Sequence, residues 1–271
     1  MKKLCSEITT DMKKTKISMK ISLITATYNS AETLRDTLQS VLNQTFKDID
    51  YIIVDGGSKD GTLDIVKEFE PKFEGRLRWV SESDKGIYDA MNKGVKMAQG
   101  DIVGILNSDD FFASDKVLEQ VNAAFTENQA LDGVYADVRY VDWHDTYKTV
   151  RIFSGKDFKR EKLCWGKMPP HPSFYVKREC YDKFGLYSLD YPICSDYDMF
   201  VKMIWEGNIN TLYINDIFVN MRSGGMSSSG LKVHRKIMKE RMRCVREHKM
   251  PSNFFKQSWR YCERILSLIK K

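Results

Sequence analysis

Four short apolar runs in the first 110 residues are separated by segments whose apolar residues recur at helical spacing. The runs are ISLITA, YIIV, LRWV and IVGIL, at residues 21–26, 51–54, 77–80 and 102–106. After the first run, Leu34, Leu38 and Val41 fall on one helical face, and Ser30 is the expected N-cap. Helical patterns also follow the second and third runs. Strands that alternate with helices predict a parallel sheet with helical crossovers.

Beyond residue 130 this alternation gives way to strand patterns joined by turns. The segments GVYADVRYVD and YKTVRIFS predict an antiparallel pair that turns near residues 144–146. A helix is expected to begin near Ser195, between the apolar strands SFYV and NTLYINDIFVNM. The whole pattern predicts an α/β fold, in which helices flank a mixed, mainly parallel sheet and a helical extension follows at the C-terminal end.

Polar or acidic residues follow the carboxyl end of each of the first four predicted strands. They are Thr27–Asn29, Asp55, Asp84 and Asp109–Asp110. Open α/β sheets bind ligands in the crevice beyond the carboxyl ends of their strands. A single acid in such a place is usually a turn or cap residue. Four polar segments in register predict a binding edge.

Composition is typical of a globular domain and excludes several classes of protein. Hydrophobic residues make up 42% and charged residues 30% of 271, which suits one large domain with a small appendage. No apolar run approaches the ~20 residues that cross a bilayer. Residues 1–19 have no apolar core of a signal peptide and are expected to form a flexible leader. The six scattered cysteines suit reduced thiols in a cytoplasm.

The net charge of +6 is concentrated in the C-terminal segment 229–271, which also has apolar residues at helical spacing. A basic amphipathic helix suits an anionic membrane surface, and we place this contact in residues 231–271. The alternative is a helical pair packed on the preceding domain or on a second copy in a homodimer. Nucleic acid is ranked last as a partner, because no recognition motif accompanies the positive charge.

The doublet Asp109–Asp110 is the strongest candidate for chemistry. Adjacent carboxylates at a strand end suit a hard divalent cation, although most such pairs are only solvated surface. The sequence VDGGSKDGT has neither the GxGxxG of a dinucleotide fold nor the GK[ST] of a P-loop. Within it, Asp55 could accept a hydrogen bond from a base or ribose, or could close an Asx-turn. Tyr28 could stack on a base or pack in the core.

Four segments together closely resemble family 2 glycosyltransferases, especially those of bacterial O-antigen and capsule synthesis. They are ISLITATYNSAETLRDTLQSVLNQTF, YIIVDGGSKDGTLDIV, SESDKGIYDAMNKGVKMAQGDIVGILNSDD and CSDYDMFVKM. The resemblance covers residues 20–228 and implies an inverting enzyme with the Rossmann-like GT-A fold. It also implies a nucleotide-binding half at about 20–112 and an acceptor half at about 113–228.

The resemblance implies a nucleotide-sugar pocket formed by the strand ends and one distant loop. Its residues are Thr27, Tyr28, Asn29, Asp55, Asp84, Lys85, Gly86, Asn107 and Arg222. Asp55 would contact the base, and residues 84–86 would border the ribose and diphosphate. Arg222 begins the loop RSGGMS, which would be a lid over the phosphates or a flexible turn. His171 would touch the acceptor or the diphosphate, or be held by backbone in its loop.

The resemblance also implies a cofactor and a base. Mn²⁺ or Mg²⁺ would bind Asp109, with Asp110 as the second carboxylate. The family commonly has Asp where this chain has Asn107. The general base would be Asp196, and the Glu that usually precedes it is Ser195 here.

The expected activity is the transfer of one sugar from a nucleotide-sugar donor, expected to be UDP-linked, to a saccharide or lipid-linked saccharide. The absence of the QxxRW signature of processive synthases favours single transfer over polymerisation. The expected setting is synthesis of cell-surface polysaccharide, in the cytoplasm or on the cytoplasmic face of the inner membrane. Asn107 and Ser195 favour an alternative, a catalytically silent module that binds nucleotide sugar or glycan.

Overall fold

The computed structural model describes residues 18–224 and 231–259, so most of the predicted leader and the end of the tail lie outside it. Within these residues nine strands form one sheet, in the order β3-β2-β1-β4-β8-β6-β9-β5, with β7 paired to β6. The strands are β1 (Ile21–Thr27), β2 (Ile49–Asp55), β3 (Leu77–Ser81), β4 (Ile102–Ile105), β5 (Phe111–Phe112), β6 (Gly133–Val141), β7 (Thr149–Phe153), β8 (Tyr175–Lys177) and β9 (Thr211–Arg222).

Helices cover both faces of the sheet. They are α1 (Leu34–Leu42), α2 (Thr62–Phe69), α3 (Ile87–Met97), α4 (Val117–Glu127), α5 (Arg178–Phe184), α6 (Ser195–Phe200) and α7 (Leu231–Glu247). A π-helical turn, Val201–Glu206, continues α6, and residues 254–259 are also helical. None of the helices in the described part of the chain is both long and apolar enough to span a bilayer.

The first four strands pair in parallel, as the alternation predicted, and this aligns their carboxyl ends. Thr27 lies opposite Asp55, and Asp55 lies opposite Ser81. From β8 onward the pairing is mixed, because β8 runs antiparallel to both β4 and β6 while β9 runs parallel to β6. The antiparallel pair predicted beyond residue 130 is β6 and β7. One edge therefore carries the ends of four strands.

Apolar residues on the two faces of β1 enter two separate cores. Leu23 packs with the core beneath α1, α2 and α4, and Ile24 packs with the core beneath α3, α6 and α7. Side chains of successive strand residues point to opposite faces, so a continuous apolar run is what a strand covered on both faces requires.

The expected N-cap at Ser30 is wrong. Helix α1 begins at Leu34, after a turn in which the carbonyl of Ser30 accepts hydrogen bonds from the backbone N–H groups of Thr33 and Leu34. The Ser30 hydroxyl lies 2.9 Å from that of Ser108. The side chain of Thr33 donates to the carbonyl of Ser108 at 2.9 Å. These contacts use the polar residues to join the ends of β1 and β4.

Helix α7 packs directly on α6. The carboxylate of Glu240 accepts hydrogen bonds of 2.9 Å from the backbone N–H groups of Ile193 and Cys194, just before α6. The guanidinium of Arg241 lies 4.2 Å from the ring centroid of Tyr197 in α6. One face of the extension is therefore part of the wall around the end of α6.

Candidate active site

The loop after β1 is tied to the loop after β2 by backbone hydrogen bonds. The carbonyl of Thr27 accepts from Gly56 N–H at 2.9 Å. Asn29 adopts a left-handed conformation with φ 48°, which Asn tolerates better than most residues. Its N–H donates to Ser58 Oγ at 2.7 Å, and its side-chain Oδ1 accepts from Lys59 N–H at 2.9 Å. These bonds join the two loops into one edge beyond the ends of β1 and β2.

Asp55 is fully buried and shapes the turn that follows it. Its Oδ2 accepts from the N–H groups of Gly57 and Ser58 at 3.0 and 2.9 Å and from Ser81 Oγ at 2.6 Å. Its Oδ1 accepts from Ser58 Oγ. Oδ1 has this one donor where Oδ2 has three, so Oδ1 keeps capacity for at least one more. The Asx-turn interpretation holds, and the contact with a base stays a prediction.

Tyr28 and Asp84 flank a narrow approach over Gly56. A Cβ at Gly56 would lie 2.5 Å from Asp84 Oδ2 and 3.3 Å from the Tyr28 ring, so a larger residue would displace the Asp84 carboxylate. Tyr28 is 62% exposed, which leaves its ring face free to stack and excludes the packed-core interpretation. Asp84 Oδ1 accepts from Gly86 N–H at 2.8 Å, and Lys85 between them is exposed.

The acidic doublet lies in the turn that follows the end of β4 at Ile105 and is mostly removed from solvent. Asp110 is 0% exposed, and its Oδ2 accepts from Asn107 Nδ2 at 3.0 Å. Thr37 Oγ1 donates to the Asp110 carbonyl at 2.7 Å. Burial raises the pKa of Asp109, and burial together with the charge of Asp109 raises the pKa of Asp110 well above its usual range. The charge of Arg222 opposes both shifts, and a bound cation would favour the charged form of both carboxylates further.

Two oxygens at the doublet have no hydrogen-bond partner among the described residues. They are Asp110 Oδ1 and Asn107 Oδ1, and both are buried. Buried polar atoms are usually paired, so these two oxygens are available to accept a ligand at the doublet. Oxygen donors beside a half-buried Asp109 are what Mg²⁺ or Mn²⁺ prefers. The residues present therefore fit a divalent cation.

Arg222, at the end of β9, is only 5% exposed, and its guanidinium binds other groups of the protein. Its Nη1 donates to the carbonyl of Asp109 at 2.8 Å, and its Nη2 pairs with the carboxylate of Asp36 in α1. The guanidinium lies 5.2 Å from the ring centroid of Phe111. The structure thus places Arg222 beneath the doublet, where it fixes the backbone of Asp109. The rest of the predicted lid, from Gly225 onward, lies outside the described residues.

Asp196 lies in the first turn of α6, half-buried beside three aromatic groups. Burial lowers the pKa of His171, and the charge of Asp196 opposes that shift. His171 Nε2 lies 2.9 Å from the hydroxyl of Tyr187. The ring of Tyr187 stacks on that of Tyr88 at 5.6 Å between centroids. The partner of His171 is thus a tyrosine and not backbone.

Sequence reasoning missed Tyr88 and Tyr187 as members of this wall. The Tyr88 hydroxyl donates to the carbonyl of Ile193 at 2.8 Å, which fixes the loop before α6. Burial and the negative charge of Asp196 together raise the pKa of Tyr88. The signal was present, because Tyr88 follows Gly86 by two residues in the segment DKGIYDAMNKG. Because Tyr88 lies in the first turn of α3, its hydrogen bond connects the segment after residues 84–86 to the loop that leads to Asp196.

A second group of ligand-type atoms lies behind α6. Asp198, Cys244 and His248 each offer one ligand atom, and these lie within 4.8 Å of one another. Lys202 Nζ lies 2.6 Å from one oxygen of Asp198, and His248 Nε2 lies 2.8 Å from the other. His248 Nδ1 lies 2.8 Å from Glu206. Two cations already neutralise the two carboxylates, so we interpret this group as a buried ion-pair network.

The comparisons with known proteins decide the family. The sequence model of glycosyl transferase family 2 matches residues 22–188. The chain belongs to this family. A PGL/p-HBAD biosynthesis glycosyltransferase of Mycobacterium bovis is 31% identical over 209 residues, which is 77% of this chain and 79% of the relative. The chain is therefore a glycosyltransferase, as predicted from its motifs.

Solved structures confirm the predicted GT-A fold of this family 2 glycosyltransferase. Staphylococcus aureus TarS 1–349 in complex with UDP-GlcNAc superposes with a TM-score of 0.62 at 22% identity, over 82% of this chain and 66% of that chain. The mannosyltransferase PcManGT from Pyrobaculum calidifontis, in complex with GDP-Man and Mn²⁺, gives 0.64 at 18% identity, over 87% and 66%. The matched family region ends at residue 188, before Asp196 and Arg222.

Proposed function

We propose that this enzyme transfers a single sugar, with inversion, from a UDP-sugar to a hydroxyl of a saccharide or lipid-linked saccharide. Its setting would be cell-surface polysaccharide synthesis on the cytoplasmic face of the inner membrane. The observation that carries the proposal is the buried doublet with two unpartnered oxygens at the edge where four strand ends meet. The complexes of TarS with UDP-GlcNAc and of PcManGT with GDP-Man and Mn²⁺ support the donor class.

In this proposal the donor lies across the ends of β1 to β4. Tyr28 stacks on the base, and Asp55 accepts a hydrogen bond from it through Oδ1. The segment 84–86 borders the ribose and diphosphate, with the exposed ammonium of Lys85 available to phosphate oxygens. The catalytic domain covers residues 20–228, and residues 229–271 form the extension.

Asp109 and Asp110, with Asn107 beside them, would hold Mn²⁺ or Mg²⁺. When bound, such an ion supplies charge neutralisation to a departing diphosphate. The protein's own part is to fix the ligands. Arg222 holds the backbone of Asp109, and Thr37 holds that of Asp110, so neither carboxylate must reorganise when charge develops.

Asp196 is the proposed general base. An alcohol is a weak nucleophile, so a carboxylate within hydrogen-bond reach takes the acceptor proton as the new bond forms. The wall of Tyr88, Tyr187 and His171 keeps the acceptor beside that carboxylate and excludes water from one side. The hydrogen bond of 2.7 Å from Tyr197 N–H to Asp196 Oδ1 orients the carboxylate.

The first test is a screen of nucleotide sugars for hydrolysis and transfer, with and without added Mn²⁺. We expect metal-dependent turnover of one donor, with loss of about 100-fold or more in Asp109→Ala. Asp115→Ala removes an exposed carboxylate six residues further on and should leave turnover unchanged. Activity that persists in EDTA and in Asp109→Ala would contradict the proposed role of the doublet.

The second test separates catalysis from binding. Asp196→Asn should lower kcat by a factor of about 10²–10⁴ and leave the Kd for UDP unchanged, because a general base acts only on the chemical step. Asp190→Asn, an exposed acid before α6, is the matched control. The alternative of a silent binding module, favoured by Asn107 and Ser195, predicts UDP binding without turnover and no effect of Asp196→Asn.

A further inference from the structure

An exposed group of aromatic and basic side chains surrounds the outer face of the C-terminal extension. We call it the aromatic–basic patch, and it consists of Trp165, Arg235, Lys239, Phe254, Phe255 and Trp259. Phe255 is 83% and Phe254 56% exposed. Large apolar side chains that cluster in solvent usually mark an interaction surface.

The members of the patch lie together. An open cleft of about 570 Å³ is lined by Phe254 and, from α7, by Arg235, Met238, Lys239 and Met242. In the helical residues 254–259, Phe255 and Trp259 are four apart and share a face. The rings of Phe254 and Phe255 lie 6.1 Å apart, and those of Trp165 and Trp259 lie 6.2 Å apart.

We propose that the aromatic–basic patch docks the enzyme on an anionic phospholipid surface. The charge favours a lipid surface, because four basic side chains are exposed on α7 and attract anionic headgroups. They are Lys232, Arg235, Lys236 and Lys239. The side chains argue for it too, since amphipathic aromatic rings and Phe insert at the boundary between headgroups and acyl chains. A protein partner of neutral or basic surface would leave these cations unpaired.

The placement of the patch connects docking to the active site. The buried face of α7, with Glu240 and Arg241, contacts the residues around the start of α6, and the patch lies on its outer side. A bilayer bound there would hold the Asp196 side of the cleft near the plane in which a lipid-linked acceptor lies. The role of docking in catalysis therefore rests on the proposed lipid-linked acceptor. The binding of the patch to lipid does not depend on that acceptor.

The experiment is sedimentation of the full chain with sucrose-loaded vesicles of phosphatidylglycerol and phosphatidylethanolamine, compared with phosphatidylcholine alone. The double variant Phe254→Ser/Phe255→Ser should lower the partition coefficient by about tenfold. Arg235→Gln/Lys239→Gln should lower it by about 25-fold, from about 1 kcal/mol for each charge. The vesicle assay contains neither donor nor acceptor, so a negative result would not contradict the proposed sugar transfer. Likewise, failure of the donor screen would not contradict membrane docking.

Matched controls use exposed residues elsewhere. Tyr147→Ser removes an aromatic that is 98% exposed in the β6–β7 turn, and Lys148→Gln/Lys116→Gln removes two exposed charges. Both should bind vesicles like the parent. Equal sedimentation of the parent and the patch variants, or no sedimentation at all, would overturn the proposal. A dimer seen by light scattering and abolished by Phe254→Ser/Phe255→Ser would assign the patch to a second copy and also overturn it.

Discussion

The ion-pair network behind α6 gives a prediction whose size and pH dependence follow from the structure. Both ring nitrogens of His248 face carboxylate oxygens at 2.8 Å, one of Asp198 and one of Glu206. Carboxylates only accept hydrogen bonds, so both nitrogens must donate and the ring must be an imidazolium. The hydrogen bond to Asp198, and then that to Glu206, raises the pKa of His248 above its usual value.

Replacing His248 with Gln removes this charge. Asp198 is 1% exposed, and a charged hydrogen bond to such a group contributes about 2 kcal/mol. The contact with the half-exposed Glu206 adds less than about 1 kcal/mol, because solvent screens it. Lys202 still pairs with Asp198 in the variant, so the loss stays below the ~3–5 kcal/mol of a fully broken buried pair. We expect a loss of about 2 kcal/mol at pH 6.

The pH dependence has a defined sign. The folded state holds the His248 proton more tightly than the unfolded chain, whose pKa is about 6.5. The stabilisation is therefore complete below about pH 6.5 and is lost as the pH rises through the folded-state pKa. The difference in free energy of unfolding between parent and His248→Gln should shrink as the pH rises from 6 to 9.

The assay is urea unfolding followed by tryptophan fluorescence at pH 6.0, 7.5 and 9.0. His144→Gln, at an exposed histidine in the β6–β7 turn, is the control and should track the parent at every pH. If the curves for parent and His248→Gln run parallel across this range, the ring is neutral in the folded protein and the reasoning fails.

Two further substitutions test packing and positioning. A Cβ at Gly104 in β4 would overlap the buried ring of Tyr175, with Cδ1 2.5 Å away, so Gly104→Ala should lower the free energy of unfolding by about 3 kcal/mol. Gly61→Ala, whose new Cβ would have its nearest neighbour at 3.8 Å, should change it by less than about 1 kcal/mol. Tyr88→Phe removes the hydrogen bond to Ile193 and should lower kcat about tenfold with the donor KM unchanged. A rise in donor KM instead would place Tyr88 in the nucleotide pocket.

The sheet and the location of the site could be predicted because they depend on local patterns. The apolar runs of β1 to β4 and the helical spacing between them can be read directly from the sequence. Polar residues that follow parallel strands must then meet at one edge of the sheet. The helix start at Leu34 could not be predicted, because Ser30 is an ordinary N-cap residue by type. Its hydroxyl instead forms a hydrogen bond with that of Ser108, 78 positions away. Helix-capping propensity depends on neighbouring residues and cannot reveal a partner so far away in the sequence.

The role of Arg222 and the network of His248 were missed for the same physical reason. Arg222 pairs with Asp36 across 186 positions, and His248 pairs with Asp198 across 50. Neither pair leaves a spacing signal in the sequence. Tyr88 differs, because it lies inside the segment DKGIYDAMNKG that carries the family resemblance, so the sequence does contain a local signal for it.

The π-helical turn Val201–Glu206 has a consequence for insertions and deletions. An α-helix advances about 100° per residue, so Asp198 and Glu206 would lie about 80° apart around its axis. The wider turn, closed by the bond from Gly207 N–H to Lys202 O at 2.9 Å, advances only about 80° per residue and brings both onto one side. The π-helical turn thus sets the angle between Asp198 and Glu206 around the helix axis. Its length is under tighter constraint than its composition, and deleting one residue would rotate one of the two acids away from the imidazolium.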